Sequence, residues 1–203
     1  MAIDRCPQPI QWMWCAIRRS RQGNTPPMFE LFRKAKPFEP LYFACVARAR
    51  APWFYLHAGM PDEIAGRFEL VALHVSIMIH ELERRGFHDY GHGITEIMYK
   101  DFDRSLREFG VGDLSVGKKV RGMAEAFFGR AKAYGHAIDE GDVTIWCDAL
   151  HRNLYRDDEE VNHDNLQKMA SYGMALIAEL RGLSDDQFGL DFAMPVVAPF
   201  KEL

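Results

Sequence analysis

Residues 112–119, GDLSVGKK, fall one residue short of a phosphate-binding loop. In the pattern G-x-x-x-x-G-K-[ST], backbone N–H groups cradle the phosphates and the final hydroxyl binds magnesium. Two glycines and a lysine match this pattern, but Lys119 stands where the hydroxyl is required. The preceding residues have the pattern of a helix end instead of a strand. We therefore interpret the octapeptide as a glycine turn between two helices, with Asp113 or Ser115 capping the second helix.

The histidines are the next candidates for chemistry, because imidazole is a common metal ligand. His88 and His92 are four residues apart, a spacing at which two histidines can share a metal on one helix, but the surrounding glycines favour a turn. Glu160 and His163 form one Glu-x-x-His pair, which is an incomplete version of the di-iron helical motif. No metal or cofactor is therefore predicted. His74, inside an apolar stretch, is predicted to be a core histidine with satisfied hydrogen bonds.

Nucleophilic catalysis has no candidate in this sequence. There is no G-x-S-x-G motif, and the cysteines show neither a C-x-x-C pair nor metal spacing. The four cysteines are predicted to be free thiols of a reducing compartment: Cys6, Cys15, Cys45 and Cys147. No catalytic residue is predicted.

The composition is that of one globular domain. The chain has 203 residues, 48% hydrophobic and 27% charged, which suits a single domain with a sizeable core. The longest apolar run, residues 70–82, is shorter than the roughly 20 residues of a membrane span and contains two histidines. The net charge of -4 argues against bulk nucleic-acid binding, and no DNA partner is expected.

Apolar residues recur at helical spacing along most of the chain, and no run alternates as a strand would. The pattern predicts an all-α fold, a single domain of six to seven helices packed as a helical bundle. The predicted helix at 67–85 is apolar around most of its circumference, so it should be the central, buried helix. The predicted helices cover residues 40–50, 67–85, 94–109, 115–138, 143–155 and 161–181, and residues 53–66 form a connector.

Three parts of the chain are distinguished. Residues 1–27 carry two tryptophans and a basic RRSR without a helical or strand period, and we expect them to be disordered. They are either an upstream extension before a natural start at Met28, or a genuine disordered or membrane-touching tail. Residues 28–182 form the helical domain. Residues 183–203, with turn-forming residues and two prolines, form a C-terminal tail.

Basic residues concentrate around the glycine turn at 110–115, although the chain as a whole is acidic. Two interpretations remain: a solvated helix face, or an interaction surface for an anionic partner such as RNA, lipid headgroups or an acidic protein. The residues concerned are Arg104, Arg107, Lys118, Lys119, Arg121, Arg130 and Lys132.

Two segments carry a resemblance to a known family. They are residues 49–75, ARAPWFYLHAGMPDEIAGRFELVALHV, and residues 101–130, DFDRSLREFGVGDLSVGKKVRGMAEAFFGR. Both resemble the ubiquinol–cytochrome c chaperone family, the Cbp3 type of mitochondria and α-proteobacteria, over roughly residues 28–155. The second segment is specific, because the run D-x-D-R-S-L-R-E-x-G-V-G-D-x-x-V-G-K-K is not generic helix sequence.

The resemblance implies an all-helical assembly factor for the respiratory cytochrome bc complex. Mitochondrial members of the family assist newly made cytochrome b near the ribosomal exit, together with a small partner protein. The resemblance thus predicts a chaperone of the cytochrome b subunit of complex III that acts by binding, with no catalytic residue. We expect cytochrome b as client, the ribosome and a small protein as further partners, and peripheral membrane contact. The lack of a mitochondrial presequence favours a bacterial protein, cytoplasmic or at the inner membrane; in a eukaryote it would act on the matrix side.

The expected partner surface has a charged and an aromatic part. An apolar groove between helices would hold client segments through the aromatic residues, for which core packing is the other interpretation. The charged residues would contact the ribosome, lipid or client loops. The candidate binding residues are Asp101, Asp103, Arg104, Arg107, Asp113, Lys118, Lys119 and Arg121, with the aromatic residues Trp53, Phe54 and Tyr55.

Two other classes of function remain open at this stage. One is an all-α enzyme or carrier that binds haem, quinone or a di-metal centre, which colour or stoichiometric iron in the purified protein would reveal. The other is an RNA- or ribosome-associated factor without a specific client, for which salt-sensitive co-purification of RNA would be the sign.

Overall fold

The computed structural model describes residues 36–156 and 161–197, and these ranges contain α-helices and no strand. The all-α, single-domain prediction is therefore confirmed. The predicted N-terminal extension, Glu160 and the last six residues lie outside the described ranges. The α-helices in the described ranges are α1 (Glu39–Ala49), α2 (Pro52–Leu56), α3 (Ile64–Arg84), α4 (His88–Glu108), α5 (Asp113–Glu140), α6 (Val143–Asn153) and α7 (His163–Gly182), followed by a 3₁₀ turn (Asp185–Gln187).

Helix α3 is the centre of the bundle, as its apolar circumference predicts. Every residue from Glu69 to Ile79 is buried, and the helix packs against α1, α4, α5 and α7. A helix that is apolar on all sides reaches its lowest free energy only when other helices surround it. This requirement explains why the other long helices are arranged around α3.

A proline at the start of α2 and a glycine after α3 mark the boundaries of these helices. The sequence pattern predicts a connector after α1, whereas the structure forms the short helix α2 with Pro52 in its first turn. Proline suits this position because its fixed φ is helical and its missing N–H would have no partner there. At the other end of α3, Gly86 has φ +81° and the Phe87 N–H donates to the Leu82 carbonyl at 2.8 Å. This is the left-handed glycine stop that the sequence predicts.

Helix α4 begins at His88, six residues before the predicted start at Ile94. The glycines that favour a turn in the sequence lie inside the helix, where Gly91 and Gly93 are buried. A Cβ on Gly93 would come within 2.3 Å of the Phe38 ring. The glycine is thus explained by the close approach of an aromatic side chain, and tertiary packing outweighs the low helix propensity of glycine.

No helix in the described ranges is both long and apolar enough to cross a membrane. The described part of the C-terminal tail instead packs on the bundle, where Phe188, Phe192 and Val197 are buried. The two phenylalanine rings stack with centroids 5.6 Å apart.

A buried carboxylate, Glu81, organises this end of the molecule. Its side chain is fully buried and accepts from Arg84 at 2.7 Å and from Arg85 at 2.6 Å. Burial raises the pKa of Glu81, but the hydrogen bonds from the two arginines outweigh burial and the pKa is lowered overall. Glu81 is therefore ionised at neutral pH, and its charge holds the arginines in place.

Arg85 connects this carboxylate to the end of α7 and to the tail. Its guanidinium donates to the carbonyls of Leu180 and Leu183 at 3.0 and 2.8 Å, and it pairs with Asp185. It also lies over the Phe188 ring, 4.6 Å from the ring centroid. The guanidinium thus adds hydrogen-bond donors to carbonyls at and just beyond the C-terminal end of α7, where helical partners run out.

A second buried polar group, His74, sits in the middle of α3. Its Nδ1 lies 2.7 Å from the Leu70 carbonyl and its Nε2 lies 2.7 Å from the Tyr172 hydroxyl. Because a carbonyl oxygen can only accept, Nδ1 carries the proton and Nε2 accepts from Tyr172. Burial lowers the pKa of His74 to about 4, so the ring is neutral at physiological pH. The prediction of a satisfied core histidine is confirmed.

The other end of α3 is tied to α5 by Glu69 and Arg130. The buried Glu69 carboxylate accepts two hydrogen bonds from the Arg130 guanidinium, which also lies 5.4 Å from the Phe68 ring centroid. Burial raises the pKa of Glu69, and Arg130 opposes this shift. The pair fixes the register of α5 along α3. It lies close to the border between the exposed N-terminal part of α5 and its buried C-terminal part.

We predict that Arg85→Met destabilises the protein by about 3 kcal/mol, because it removes a partner of a buried carboxylate and uncaps α7. Methionine keeps much of the side-chain volume over Phe188. The free energy of unfolding is measured by urea titration. Arg84→Met is the matched control, since Arg84 also binds Glu81 but is half exposed, and its loss should cost less than about 1 kcal/mol. Equal losses in the two variants would contradict this role of Arg85.

We predict that His74 makes the protein sensitive to acid. A histidine whose pKa is lowered on folding contributes stability above its unfolded pKa of about 6.5, and that contribution is lost as the pH falls towards about 4. Between pH 7 and pH 5, the wild type should lose about 2 kcal/mol more than His74→Gln in urea unfolding. The exposed His136→Gln is the control and should behave as the wild type. An equal loss in wild type and His74→Gln would contradict the prediction.

Candidate partner-binding surface

The charged candidate residues lie where α4 and α5 meet. The last two turns of α4 and the first turns of α5 are antiparallel and joined by the turn at residues 109–112. Most residues of this turn are exposed. We call this surface the basic corner, defined as the turn at 109–112 with Arg104, Arg107, Lys118, Lys119 and Arg121.

Gly110 makes the turn possible. Its φ is +78°, its N–H donates to the Arg107 carbonyl at 2.9 Å, and the next N–H, of Val111, donates to Leu106 at 3.0 Å. This pair of hydrogen bonds is a Schellman motif, which requires a left-handed residue and so favours glycine. The helix–glycine–helix turn predicted from the sequence is confirmed.

The start of α5 differs from the sequence-based prediction. Gly112 occupies the N-cap position and no side chain caps the helix. The Ser115 hydroxyl donates to the Gly112 carbonyl at 2.8 Å and so takes no part in capping a backbone N–H. The prediction that Asp113 or Ser115 caps α5 is therefore wrong, because Asp113 is the first residue of the helix itself. The side chain of Asp113 is outside the described part of the structure.

Two carboxylates of the candidate set have partners within the protein. Asp101 accepts a hydrogen bond from the Tyr42 hydroxyl at 2.8 Å, which ties α4 to α1. Burial and this bond to Asp101 raise the pKa of Tyr42, which stays protonated as a donor. Asp103 pairs with Arg107 one turn later, at 2.7 Å. Both acids thus support the structure of α4. Glu108, the last residue of α4, is exposed and adds a negative charge beside the turn.

Four cations of the basic corner have no such partner. Arg104, Lys118, Lys119 and Arg121 are exposed, and none of the carboxylate side chains that the structure describes forms an ion pair with them. Arg104 also borders a cleft of about 160 Å³ between α1 and α4, beside the exposed Phe43. The geometry therefore presents positive charge from both helices to the solvent.

Arg130 and Lys132 fall outside this surface, although the sequence groups them with it. Arg130 is mostly buried against Glu69, as described above, so its charge is already neutralised. Lys132 is exposed but lies thirteen residues beyond Lys119 along α5, which is about 20 Å at 1.5 Å per residue.

The aromatic candidates are core residues for the most part. Trp53 and Phe54 are buried, and Phe54 packs edge-on against His74 and Tyr172. They line no open groove among the described residues, because the short helix α2 turns both rings towards α3 and α7. Only Tyr55 reaches the surface, where it lies half-buried and donates to the Ala49 carbonyl at 3.1 Å. Trp53 and Phe54 thus pack in the core of this structure, and their part in client binding stays a prediction.

Phe109 is the residue that the sequence pattern misplaces. Its spacing from Phe102 and Leu106 predicts that it belongs to the apolar face of α4. The structure instead ends α4 at Glu108, and Phe109 is 62% exposed at the tip of the basic corner. The adjacent Gly110 could have revealed this position, because a glycine there ends the helix and the helical spacing no longer applies to Phe109.

Two of the metal candidates, His88 and His92, both lie in α4, four residues apart. His88 pairs with Glu83 at 2.5 Å on the surface, and His92 is half-buried within α4. No group of three or more histidine, cysteine, aspartate or glutamate side chains that could hold a metal occurs among the described residues.

Comparison with known proteins gives two matches. Residues 56–190 match the family model described as ubiquinol-cytochrome C chaperone, a region that includes the whole basic corner and extends past residue 155. The structure is similar to the crystal structure of the Cbp3 homolog from Brucella abortus, with a TM-score of 0.70 and 31% sequence identity over 80% of this chain and 91% of that chain. No curated protein sequence matches significantly. The chain belongs to the ubiquinol–cytochrome c chaperone family.

Proposed function

We propose that this protein is an assembly chaperone for ubiquinol–cytochrome c reductase, complex III, and that its client is newly made cytochrome b. The observation that carries the proposal is the family match over residues 56–190, together with the similarity to the Cbp3 homolog. A family of chaperones acts by binding, and we propose no catalytic step. The protein would act at the inner face of the bacterial membrane, which corresponds to the matrix side in mitochondria.

The roles of the buried ionisable groups agree with a binding function. His74, Glu69 and Glu81 are buried ionisable side chains, and each has hydrogen-bond partners from a neighbouring helix or turn. Catalytic acids and bases more often lie in clefts that a substrate can enter. These three groups instead hold α3 against its neighbours.

We assign partner binding to the basic corner. Its four unpaired cations stand on a chain of net charge -4, so they are a local feature and not a consequence of composition. Asp101 and Asp103 contribute indirectly, because they fix α4 through Tyr42 and Arg107. The ribosome, the client and a small partner protein are all candidates for contact with this surface.

The first experiment is deletion of the gene. We expect a selective loss of cytochrome b and of complex III activity in membranes, with another respiratory complex unchanged as internal control. The wild-type gene should restore cytochrome b. Normal cytochrome b in the deletion strain would show that the proposed client is wrong.

The same strain tests the basic corner. We predict that Lys118→Glu/Lys119→Glu restores cytochrome b poorly, because the double change reverses the charge of the corner without removing a buried contact. The matched control is Lys132→Glu/Lys168→Glu, which makes the same change at two exposed lysines outside the corner. Cytochrome b is quantified by difference spectra of membranes. Full restoration by Lys118→Glu/Lys119→Glu would leave the chaperone function standing but remove the basic corner from it.

A further inference from the structure

The tip of the basic corner combines an exposed aromatic ring with unpaired cations. Phe109 is 62% exposed at the C-cap of α4. The turn that carries it is held by the Gly110 Schellman motif, so the position of its backbone is fixed. A large apolar side chain at the end of two antiparallel helices gains nothing from the protein's own core, and it is available to an apolar environment outside the protein.

Cations both precede and follow Phe109 in the sequence. Arg104 lies five residues before Phe109 on α4, and Lys118 and Lys119 follow on the first turns of α5. The acid nearest in sequence is Glu108, which is exposed directly before the ring, whereas Asp103 is occupied by Arg107. The described side chains of this surface therefore combine one apolar group with a net positive charge, because five cations face the three carboxylates Asp101, Asp103 and Glu108.

We propose that the basic corner docks on an anionic phospholipid bilayer, with the Phe109 ring in the boundary between headgroups and acyl chains and the four cations at the lipid phosphates. This inference deepens the proposed function, since it names the partner of the same surface. Aromatic rings are enriched at this boundary, and each basic residue near an anionic membrane adds to binding. The two features together are what a peripheral membrane contact requires.

Other anionic partners fit the surface less well. Proteins that bind single-stranded nucleic acid usually offer several aromatic side chains along a groove, on which successive bases stack. The basic corner has a single exposed ring at a turn, and the aromatic rings Trp53 and Phe54 are buried. A protein partner would need a contact surface of about 800 Å² on each side, whereas a bilayer needs only the tip.

The test uses the purified full-length protein and sedimentation with vesicles of phosphatidylcholine alone or mixed with phosphatidylglycerol. We expect binding only to the anionic vesicles, and weaker binding as salt is raised. Phe109→Ser should weaken binding about ten-fold or more, from the lost apolar contact. Lys118→Glu/Lys119→Glu should weaken it at least as much.

The chain offers a matched control for each variant. Phe43 is 55% exposed on α1, where it borders the cleft that Arg104 also lines but does not belong to the turn at 109–112. Phe43→Ser removes a similar exposed ring and should leave binding unchanged. Lys132→Glu/Lys168→Glu controls for net charge. Equal thermal unfolding temperatures would show that all variants fold.

A second measurement reports the depth of the ring directly. In Phe109→Trp, the added indole emission should shift to shorter wavelength when anionic vesicles are added, after subtraction of the wild-type signal. Phe43→Trp should show no shift. This readout remains informative even when another part of the chain contributes to vesicle binding.

Defined outcomes would overturn the proposal. They are no binding to anionic vesicles, equal binding to neutral vesicles, or an equal effect of Phe109→Ser and Phe43→Ser with no shift in Phe109→Trp. Binding of a labelled RNA oligomer that needs Lys118 and Lys119 but not Phe109, without vesicle binding, would assign the corner to RNA. Restoration of cytochrome b by a variant that binds no vesicles would remove the lipid contact and leave the proposed function standing. Normal cytochrome b in the deletion strain, together with binding to anionic vesicles, would remove the proposed function and leave the lipid contact standing.

Discussion

The fold depends on two carboxylates in a helix that is mostly buried and apolar. Glu69 and Glu81 lie near opposite ends of α3, and neither can be ionised there without a cationic partner. Arg130 supplies the partner from α5, and Arg85 supplies it from the turn after α3. The two ion pairs therefore fix where α5 and the C-terminal tail lie along α3, which apolar packing alone would leave less specific.

This arrangement separates α5 into two parts with different roles. From Phe127 onwards, its apolar residues pack in the core, with Tyr134 stacked on Trp146. Before Phe127, most residues are exposed, and Gly117 and Gly122 have open space where a Cβ would stand. Arg130 holds the helix close to the border between the two parts. The exposed part is thus carried on a firmly anchored helix, so the basic corner has a defined position without a core of its own.

Much of this structure could be predicted from the sequence, since it follows from periodicity and from glycine. The apolar circumference of α3 predicts its central position, and the glycines at 86 and 110 predict the two helix ends that the structure has. The early start of α4 could not be predicted, because it depends on the contact of Gly93 with Phe38, fifty-five positions away. The pairing of Arg130 with Glu69 could not be predicted either, because it also joins residues that are far apart in the sequence. This pairing removes Arg130 from the predicted basic surface.

Arginine is the cation at both buried carboxylates. The planar guanidinium of Arg85 and Arg130 can hold a carboxylate by two hydrogen bonds and is weakly hydrated. Two of the four unpaired cations at the corner are lysines, whose compact ammonium groups are strongly hydrated and remain in water at low cost. A lysine at 130 could not form the same forked contact with Glu69. The cations inside and outside the fold are therefore not interchangeable. A count of basic residues from the sequence overestimates the positive charge of the surface, because it includes arginines that pair with buried carboxylates.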